Sequence, residues 1–143
     1  MFISEVKIRV RYPETDRMGY VYYGNYAVYF DVARVEALRE LGFIYKEVED
    51  NGIILPVYSF NIKYLKPAFY DDVLTIKTYI KEIPKARLMV YYETFNEQKE
   101  MINYGETTLV FIDVKTNKPR SAPQNFIDEI KKYVHRVAVK AVQ

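Results

Sequence analysis

The residues of this chain that could do chemistry are concentrated between Tyr12 and Tyr26, in the segment YPETDRMGYVYYGNY. Glu14 and Asp16 form an acidic pair in a loop rich in turn-forming residues, and Asn25 then begins the longest helical pattern of the chain. The first N–H groups of a helix lack partners within the helix and lie at the positive end of its dipole. A carboxylate held just before such a helix can therefore act as a base or nucleophile beside a site for an oxyanion.

The composition leaves few other groups for catalysis. The chain has no cysteine, which excludes a thiolate nucleophile and a Cys-ligated metal, and its one histidine is His135, near the C-terminal end. A Ser-His-Asp triad would need that residue, and a lone histidine forms no metal-binding cluster, so we expect no metal site. Asp16 is the candidate base or nucleophile, although a purely structural role as a loop cap is the alternative. Glu14 is expected to be a solvated or supporting carboxylate.

The net charge and the apolar pattern limit which classes of partner are expected. The net charge of +2 is too small to favour nucleic acid or an anionic membrane. Binding of RNA by the fifteen tyrosines is the alternative, but tyrosine also suits half-buried strands. No apolar run is long enough to span a membrane. The N-terminus alternates apolar and charged residues, unlike a signal peptide, so we expect a cytoplasmic protein.

Hydrophobic periodicity predicts which elements hold the acidic loop. An alternating strand over Phe2–Tyr12 leads into it, and apolar residues at i, i+3, i+4 and i+7 predict a helix over Asn25–Leu41 after it. Asn25 is the predicted N-cap, and Gly42 is the residue predicted to end the helix. The other predicted elements are a short helix, four strands and a terminal helix, over Tyr45–Asn51, Ile53–Leu65, Val73–Ile83, Arg87–Asn96, Met101–Val114 and Gln124–Tyr133.

The connections between the four later strands predict the fold class. They are short, which forces antiparallel neighbours because a parallel crossover needs about a dozen residues or more. A helix packed on one antiparallel sheet gives a two-layer α+β fold. We expect one domain over residues 1–143, with a frayed tail from about residue 134. Long strands with unpaired edges favour pairing between two copies, so a homodimer is predicted.

The acidic loop and the helix after it resemble the hotdog-fold 4-hydroxybenzoyl-CoA thioesterase family, including its Tol-Pal-associated branch. The resemblance covers nearly the whole chain, and a second match is the segment YLKPAFYDDVL at residues 64–74. It implies a hotdog fold in which a five-stranded antiparallel sheet wraps around a long central helix. The residues that match the family motif are Asp16, Gly19, Tyr22, Tyr23, Asn25 and Tyr26.

The resemblance implies hydrolysis of an acyl-CoA thioester to a free acid and coenzyme A. Asp16 matches the carboxylate that attacks the thioester carbonyl or activates water, and the backbone N–H of Tyr23 matches the donor that polarises the carbonyl. The sequence leaves the nucleophilic and general-base routes open. Tyr23 stands where the short-chain branch often has histidine, which brings the chain nearer the aromatic-acyl type at this position. No cofactor is expected, because coenzyme A is part of the substrate.

Further residues are expected to bind the substrate. Gly19, Tyr22, Asn25 and Tyr26 are placed at the acyl site by the resemblance. The basic residues Lys63, Lys66, Lys85 and Arg87 are candidates for the phosphates of coenzyme A.

The acyl carrier is coenzyme A or an acyl carrier protein, and the homodimers are expected to pair into a dimer of dimers. A non-catalytic hotdog protein that binds acyl carriers or other partners is the alternative function. A hotdog hydratase would use an Asp-His pair, and no histidine precedes His135. Asp31 and Arg34 are predicted to form an ion pair on the helix.

Overall fold

The computed structural model describes residues 1–135. The five long strands are β1 (Phe2–Arg9), β3 (Val57–Tyr64), β4 (Val73–Ile80), β5 (Arg87–Phe95) and β6 (Met101–Val110). The three short strands are β2 (Ile53–Ile54), β7 (Ile112–Asp113) and β8 (Lys118–Pro119). The helices are α1 (Asn25–Glu40), α2 (Tyr45–Asp50) and α3 (Gln124–Ile130), and a 3₁₀ turn covers Tyr12–Glu14.

The five long strands form one antiparallel sheet in the order β1-β4-β5-β6-β3, as the short connections predicted. The short strands form a second sheet in the order β2-β7-β8. Two predicted strands are therefore each divided between the sheets. The first divides at Pro56, which has no N–H for a ladder. The second divides at Phe111, whose N–H donates to the carbonyl of Ala86 instead (2.9 Å).

Helix α1 follows its predicted pattern closely and packs on β1 and β4. Its C-terminus is a Schellman motif, in which the N–H of Phe43 donates to the carbonyl of Leu38 (2.9 Å) and Gly42 has φ 78°. The prediction of Asn25 as the N-cap is wrong. Gly24 occupies the N-cap position, and Asn25 is the first helical residue, with a side chain that donates a hydrogen bond rather than accepting one.

The core lies between α1 and one face of the sheet. Alternate residues of β4 and β5 point into it, and the ring of Phe30 on α1 stacks on Tyr92 of β5 with the centroids 4.3 Å apart. Arg34 of α1 is buried beside this pair, where its guanidinium bonds to the predicted partner Asp31 and to the Tyr92 hydroxyl (3.2 Å). The inner face of the sheet thus fixes the rotation of α1, and with it the position of the loop that leads into α1.

Strand β3 is an edge of the sheet, and its side chains are exposed along most of its length. Val57, Tyr58, Phe60 and Tyr64 are each more than two-fifths exposed. Large apolar side chains on an open edge mark a surface suited to another chain.

The C-terminal part of the described chain ends near β1. Val134 is buried, and the ring of Tyr133 contacts that of Phe2 with the centroids 5.2 Å apart. The rest of the predicted tail, residues 136–143, lies outside the described residues. Among residues 1–135, no helix combines the length and the apolar character needed to cross a membrane.

Candidate active site

The acidic loop folds into a small hairpin between β1 and α1. Thr15 and Val21 form an antiparallel bridge, and the N–H of Asp16 donates to the carbonyl of Tyr20 (2.8 Å). The hairpin tip closes through Gly19, whose N–H donates to the carbonyl of Asp16 (2.9 Å) and whose φ of 83° suits glycine. Gly19 therefore shapes the loop that presents Asp16, and it is not among the residues that line the adjoining cavity.

The two carboxylate oxygens of Asp16 differ in their hydrogen bonding. Oδ1 accepts hydrogen bonds from the N–H groups of Met18 (2.9 Å) and Tyr20 (3.2 Å). Oδ2 accepts none from any residue between 1 and 135. The loop-capping alternative is thus realised by one oxygen, while the other is available to a reacting group. The two roles are compatible.

A cavity of about 280 Å³ lies beside Asp16, between the hairpin, the start of α1 and the chain that follows β3. It brings together four of the residues predicted from the sequence: Asp16, Tyr23, Tyr26 and Lys66. The residues that line it are Asp16, Met18, Tyr20, Val21, Tyr23, Tyr26, Tyr64, Leu65, Lys66 and Pro67. Its wall is thus largely aromatic, with one carboxylate and one ammonium group.

The start of α1 differs from the arrangement expected for a helix N-terminus. The N–H groups of Asn25, Tyr26 and Ala27 each donate to the carbonyl oxygen three residues earlier, at 2.9, 3.3 and 3.3 Å. The N–H groups of Tyr23 and Gly24 have no acceptor within the described part of the chain. The donors left for an oxyanion therefore precede the helix, and they include the N–H predicted for this role.

Tyr26 and Tyr64 are two of the tyrosines that line the cavity. The hydroxyl of Tyr64 donates to the carbonyl of Tyr23 (3.2 Å), which ties β3 to the segment of Tyr23 and Gly24 that carries the free N–H groups. Burial raises the pKa of the Tyr26 phenol and, to a smaller extent, that of Tyr64. Both phenols therefore stay protonated at neutral pH and act as apolar surface and hydrogen-bond donors.

Two predicted substrate-binding residues do not line the cavity. Tyr22 is exposed and lies against the ring of Tyr23, with the centroids 4.7 Å apart. Asn25 uses its side-chain N–H to bind the carbonyl of Glu14 (2.7 Å). Glu14 itself is buried, so the expectation of a solvated carboxylate is wrong, and its supporting role is the alternative that remains.

The predicted phosphate-binding residues are widely separated within one chain. Lys66 lines the cavity, where its ammonium group pairs with Glu100. Lys63 lies opposite Tyr104 on β6, whereas Arg87 lies opposite Val110. These register positions differ by six residues, roughly 20 Å along the sheet. One chain thus brings only Lys66 to the cavity.

Lys85, the other candidate basic residue, precedes β5 and holds the chain before α3, because its carbonyl accepts the N–H of Ala122 (2.8 Å). Within residues 1–135, no group of three or more histidine, cysteine or carboxylate side chains is arranged to hold a metal ion.

Comparisons with known proteins agree with this arrangement. The model of the family described as "Thioesterase superfamily" matches residues 18–102, more than half of the chain. The chain belongs to the thioesterase superfamily. The matched range includes Tyr23 and Lys66 and begins two residues after Asp16. The resemblance noted in the sequence is thereby confirmed, together with an α+β hotdog fold built on an antiparallel sheet.

Individual relatives cover most of the chain. YneP of Bacillus subtilis is 33% identical over 128 residues, which are 90% of this chain and 93% of that protein. The acyl-CoA thioester hydrolase YbgC of Escherichia coli O157:H7 is 30% identical over 124 residues, or 87% and 92% of the two chains. A DHNA-CoA thioesterase structure from Staphylococcus aureus is 40% identical, with a TM-score of 0.85, and the match covers 93% of this chain and 89% of that one.

Proposed function

We propose that this chain hydrolyses acyl-CoA thioesters at the cavity beside Asp16. One observation carries the proposal. Asp16 and Tyr23 line the same cavity, and one carboxylate oxygen of Asp16 and the backbone N–H of Tyr23 have no hydrogen-bond partner among residues 1–135. Thioester hydrolysis needs a group that attacks or activates water and a donor for the developing oxyanion. The names of the relatives support the same reaction.

Two routes are open to Asp16. As nucleophile, its free oxygen attacks the thioester carbonyl, coenzyme A leaves as the thiol, and water opens the resulting mixed anhydride to regenerate the carboxylate. As general base, the same oxygen removes a proton from water while the water attacks; the tetrahedral intermediate then breaks its C–S bond, and the leaving thiolate of coenzyme A takes up that proton. In both routes negative charge forms on the carbonyl oxygen, and the N–H groups of Tyr23 and Gly24 supply donors that need no reorganisation. Neither route requires a cofactor beyond the substrate.

We infer that the preferred acyl group is aromatic and carries hydroxyl groups. The cavity wall contains four tyrosine rings, those of Tyr20, Tyr23, Tyr26 and Tyr64, which favour contact with a flat ring. Its volume of about 280 Å³ lies below the range of roughly 300–1,000 Å³ for whole ligands, so it suits the acyl group with the carrier outside. DHNA-CoA, for which the Staphylococcus aureus relative is named, carries the 1,4-dihydroxy-2-naphthoyl group.

We propose that two copies form a homodimer through the open edge of β3. The two five-stranded sheets would then join into one continuous sheet, with α1 of each copy as the central helix packed on its own half. The exposed apolar residues Val57 and Phe60 of β3, and Val28 and Val32 of α1, support this pairing. A partner copy would also bring further basic side chains to the carrier, since Lys66 is the one basic residue among residues 1–135 that lines the cavity. Pairing of dimers, an acyl carrier protein as carrier and a cytoplasmic location stay predictions.

A panel of acyl-CoA thioesters tests this function directly. Release of coenzyme A is followed with a thiol reagent for hydroxyaryl, unsubstituted aryl and short aliphatic acyl groups at equal concentrations. We expect hydroxyaryl thioesters to give the highest kcat/KM. Equal hydrolysis of all acyl groups would refute the aromatic preference, and no hydrolysis of any member would favour the non-catalytic alternative.

A further inference from the structure

Glu14 is a buried carboxylate that the proposed reaction does not use. Its Oε1 accepts the backbone N–H of Arg11 (2.8 Å) and the hydroxyl of Tyr29 (2.9 Å), and its Oε2 accepts the guanidinium of Arg11 (2.7 Å). Burial opposes its ionisation, but these hydrogen bonds outweigh burial and hold the pKa of the Glu14 carboxyl below its usual range. A buried charge is costly unless it is fully bonded, and this one is bonded through both oxygens.

The main chain of the same residue is bonded as well. The carbonyl oxygen of Glu14 accepts the N–H of Tyr22 (2.8 Å) and the side-chain amide of Asn25 (2.7 Å). Residue 14 therefore joins the two sides of the hairpin to each other. It also joins the hairpin to the first and second turns of α1, through Asn25 and Tyr29.

We propose that Glu14 is a positioning residue that fixes the free carboxylate oxygen of Asp16 relative to the free N–H of Tyr23. Asp16 follows Glu14 by two residues, and Tyr23 follows directly the residue whose N–H the Glu14 carbonyl accepts. Both halves of the site are thus one or two residues from a Glu14 contact. The inference rests on the proposed function, because it assigns a purpose to the geometry of that site.

The bonding of Glu14 favours a positioning role over a role in general stability. An apolar side chain could fill the same space without the cost of a buried charge. The directional bonds of the Glu14 side chain to Arg11 and to Tyr29 of α1, in contrast, define the orientation of the loop and not only its burial. An error of about 1 Å between reacting groups can cost up to about 100-fold in rate, so a fixed loop is valuable here.

The link to α1 can be cut by Tyr29→Phe, which removes one hydroxyl and leaves the ring in the core. Tyr92→Phe is the matched control, because Tyr92 is another buried tyrosine whose hydroxyl bonds elsewhere, to Arg34 and Thr107. We expect Tyr29→Phe to lower kcat by about 10- to 100-fold with KM changed less than about twofold. Tyr92→Phe should lower the melting temperature comparably and leave kcat unchanged.

Three further variants keep the test decisive. Glu14→Gln retains an acceptor for the Tyr29 hydroxyl and should keep more of kcat than Glu14→Ala. If Tyr29→Phe does not fold, Asn25→Ala cuts the other link to α1, and we expect a fall in kcat of about 10-fold. Unchanged kcat in whichever of these two variants folds, or equal losses in Tyr29→Phe and Tyr92→Phe, would overturn the positioning role.

Asp16→Asn, assayed in parallel, separates this proposal from the proposed function. If Asp16→Asn is inactive and the Glu14 and Tyr29 variants keep wild-type kcat, only the positioning role fails. If Asp16→Asn keeps the wild-type rate, the proposed function of the cavity fails first.

Discussion

Gly105→Ala should damage both stability and catalysis because β3 and β6 approach closely at this position. A methyl group at Gly105 would lie 2.4 Å from the carbonyl oxygen of Asn61 and 3.2 Å from the Cα of Ile62, both on β3. The ring of Phe30 lies 3.2 Å away on the other side. Backbone atoms cannot rotate aside, so β3 must shift by about 1 Å to restore an ordinary contact. Overpacking of this kind costs about 1–3 kcal/mol of unfolding free energy.

The shift of β3 should reach the active site through Tyr64, whose hydroxyl holds the carbonyl of Tyr23 (3.2 Å). We therefore expect kcat to fall by about 10-fold in Gly105→Ala. Urea denaturation measures the stability, and release of coenzyme A measures the rate. Gly24→Ala is the control for stability alone, because its methyl group would lie 2.9 Å from the movable ring of Tyr22 at an ordinary helical φ of −66°. If Gly105→Ala were no less stable than Gly24→Ala, the described approach of β3 to β6 would be refuted.

Two further predictions concern the Lys66–Glu100 ion pair and the open edge of β3. Glu100→Gln removes the carboxylate that pairs with Lys66 and so frees Lys66 for the carrier phosphates. The KM for acyl-CoA should therefore fall about two- to fivefold at low salt, with kcat unchanged. An unchanged KM would exclude a phosphate-binding role for Lys66. Phe60→Asp places a charge on the open edge of β3. If the chain forms the proposed dimer, this variant should sediment as a monomer at equilibrium where the wild type sediments as a dimer, whereas equal masses would exclude pairing through β3.

The pH dependence of stability should reveal Glu14, because its depressed pKa stabilises the folded state above the unfolded-state value of about 4.3. That contribution is lost as pH falls through the lower folded-state pKa. The stability difference between wild type and Glu14→Gln should therefore be constant above about pH 5 and shrink below about pH 4. A difference that stays constant on acidification would contradict the bonded carboxylate.

Elements that are determined by residues close together in the sequence could be predicted well. The spacing of Tyr26, Tyr29, Phe30 and Ala33 predicted α1, and Gly42 predicted its end, because helix periodicity and a left-handed C′ glycine act within a few residues. The division between β2 and β3 could also have been found, since Pro56 interrupts the predicted strand.

Features set by distant contacts could not be predicted in the same way. Burial of Glu14 depends on a hydroxyl fifteen residues later, at Tyr29, and nothing near Glu14 in the sequence signals it. The separation of Lys63 from Arg87 follows from the register of three strands, which short patterns do not fix. The sequence predicted hydrogen-bond donors at the start of α1, but it did not predict that the N–H groups of residues 25–27 bond within an initial tight turn, so that the available donors precede the helix.

The kcat of Asp16→Asn for hydrolysis of a hydroxyaryl-CoA thioester tests the central claim most directly. The substitution keeps the Oδ1 acceptor of the loop and removes the negative charge, so we expect kcat to fall about 100-fold or more with little change in melting temperature. Asp113→Asn is the matched control, because its Oδ1 also accepts an N–H two residues later (2.8 Å) and it should keep full activity. A folded Asp16→Asn protein that turns over at the wild-type rate would contradict the assignment of this cavity as the active site.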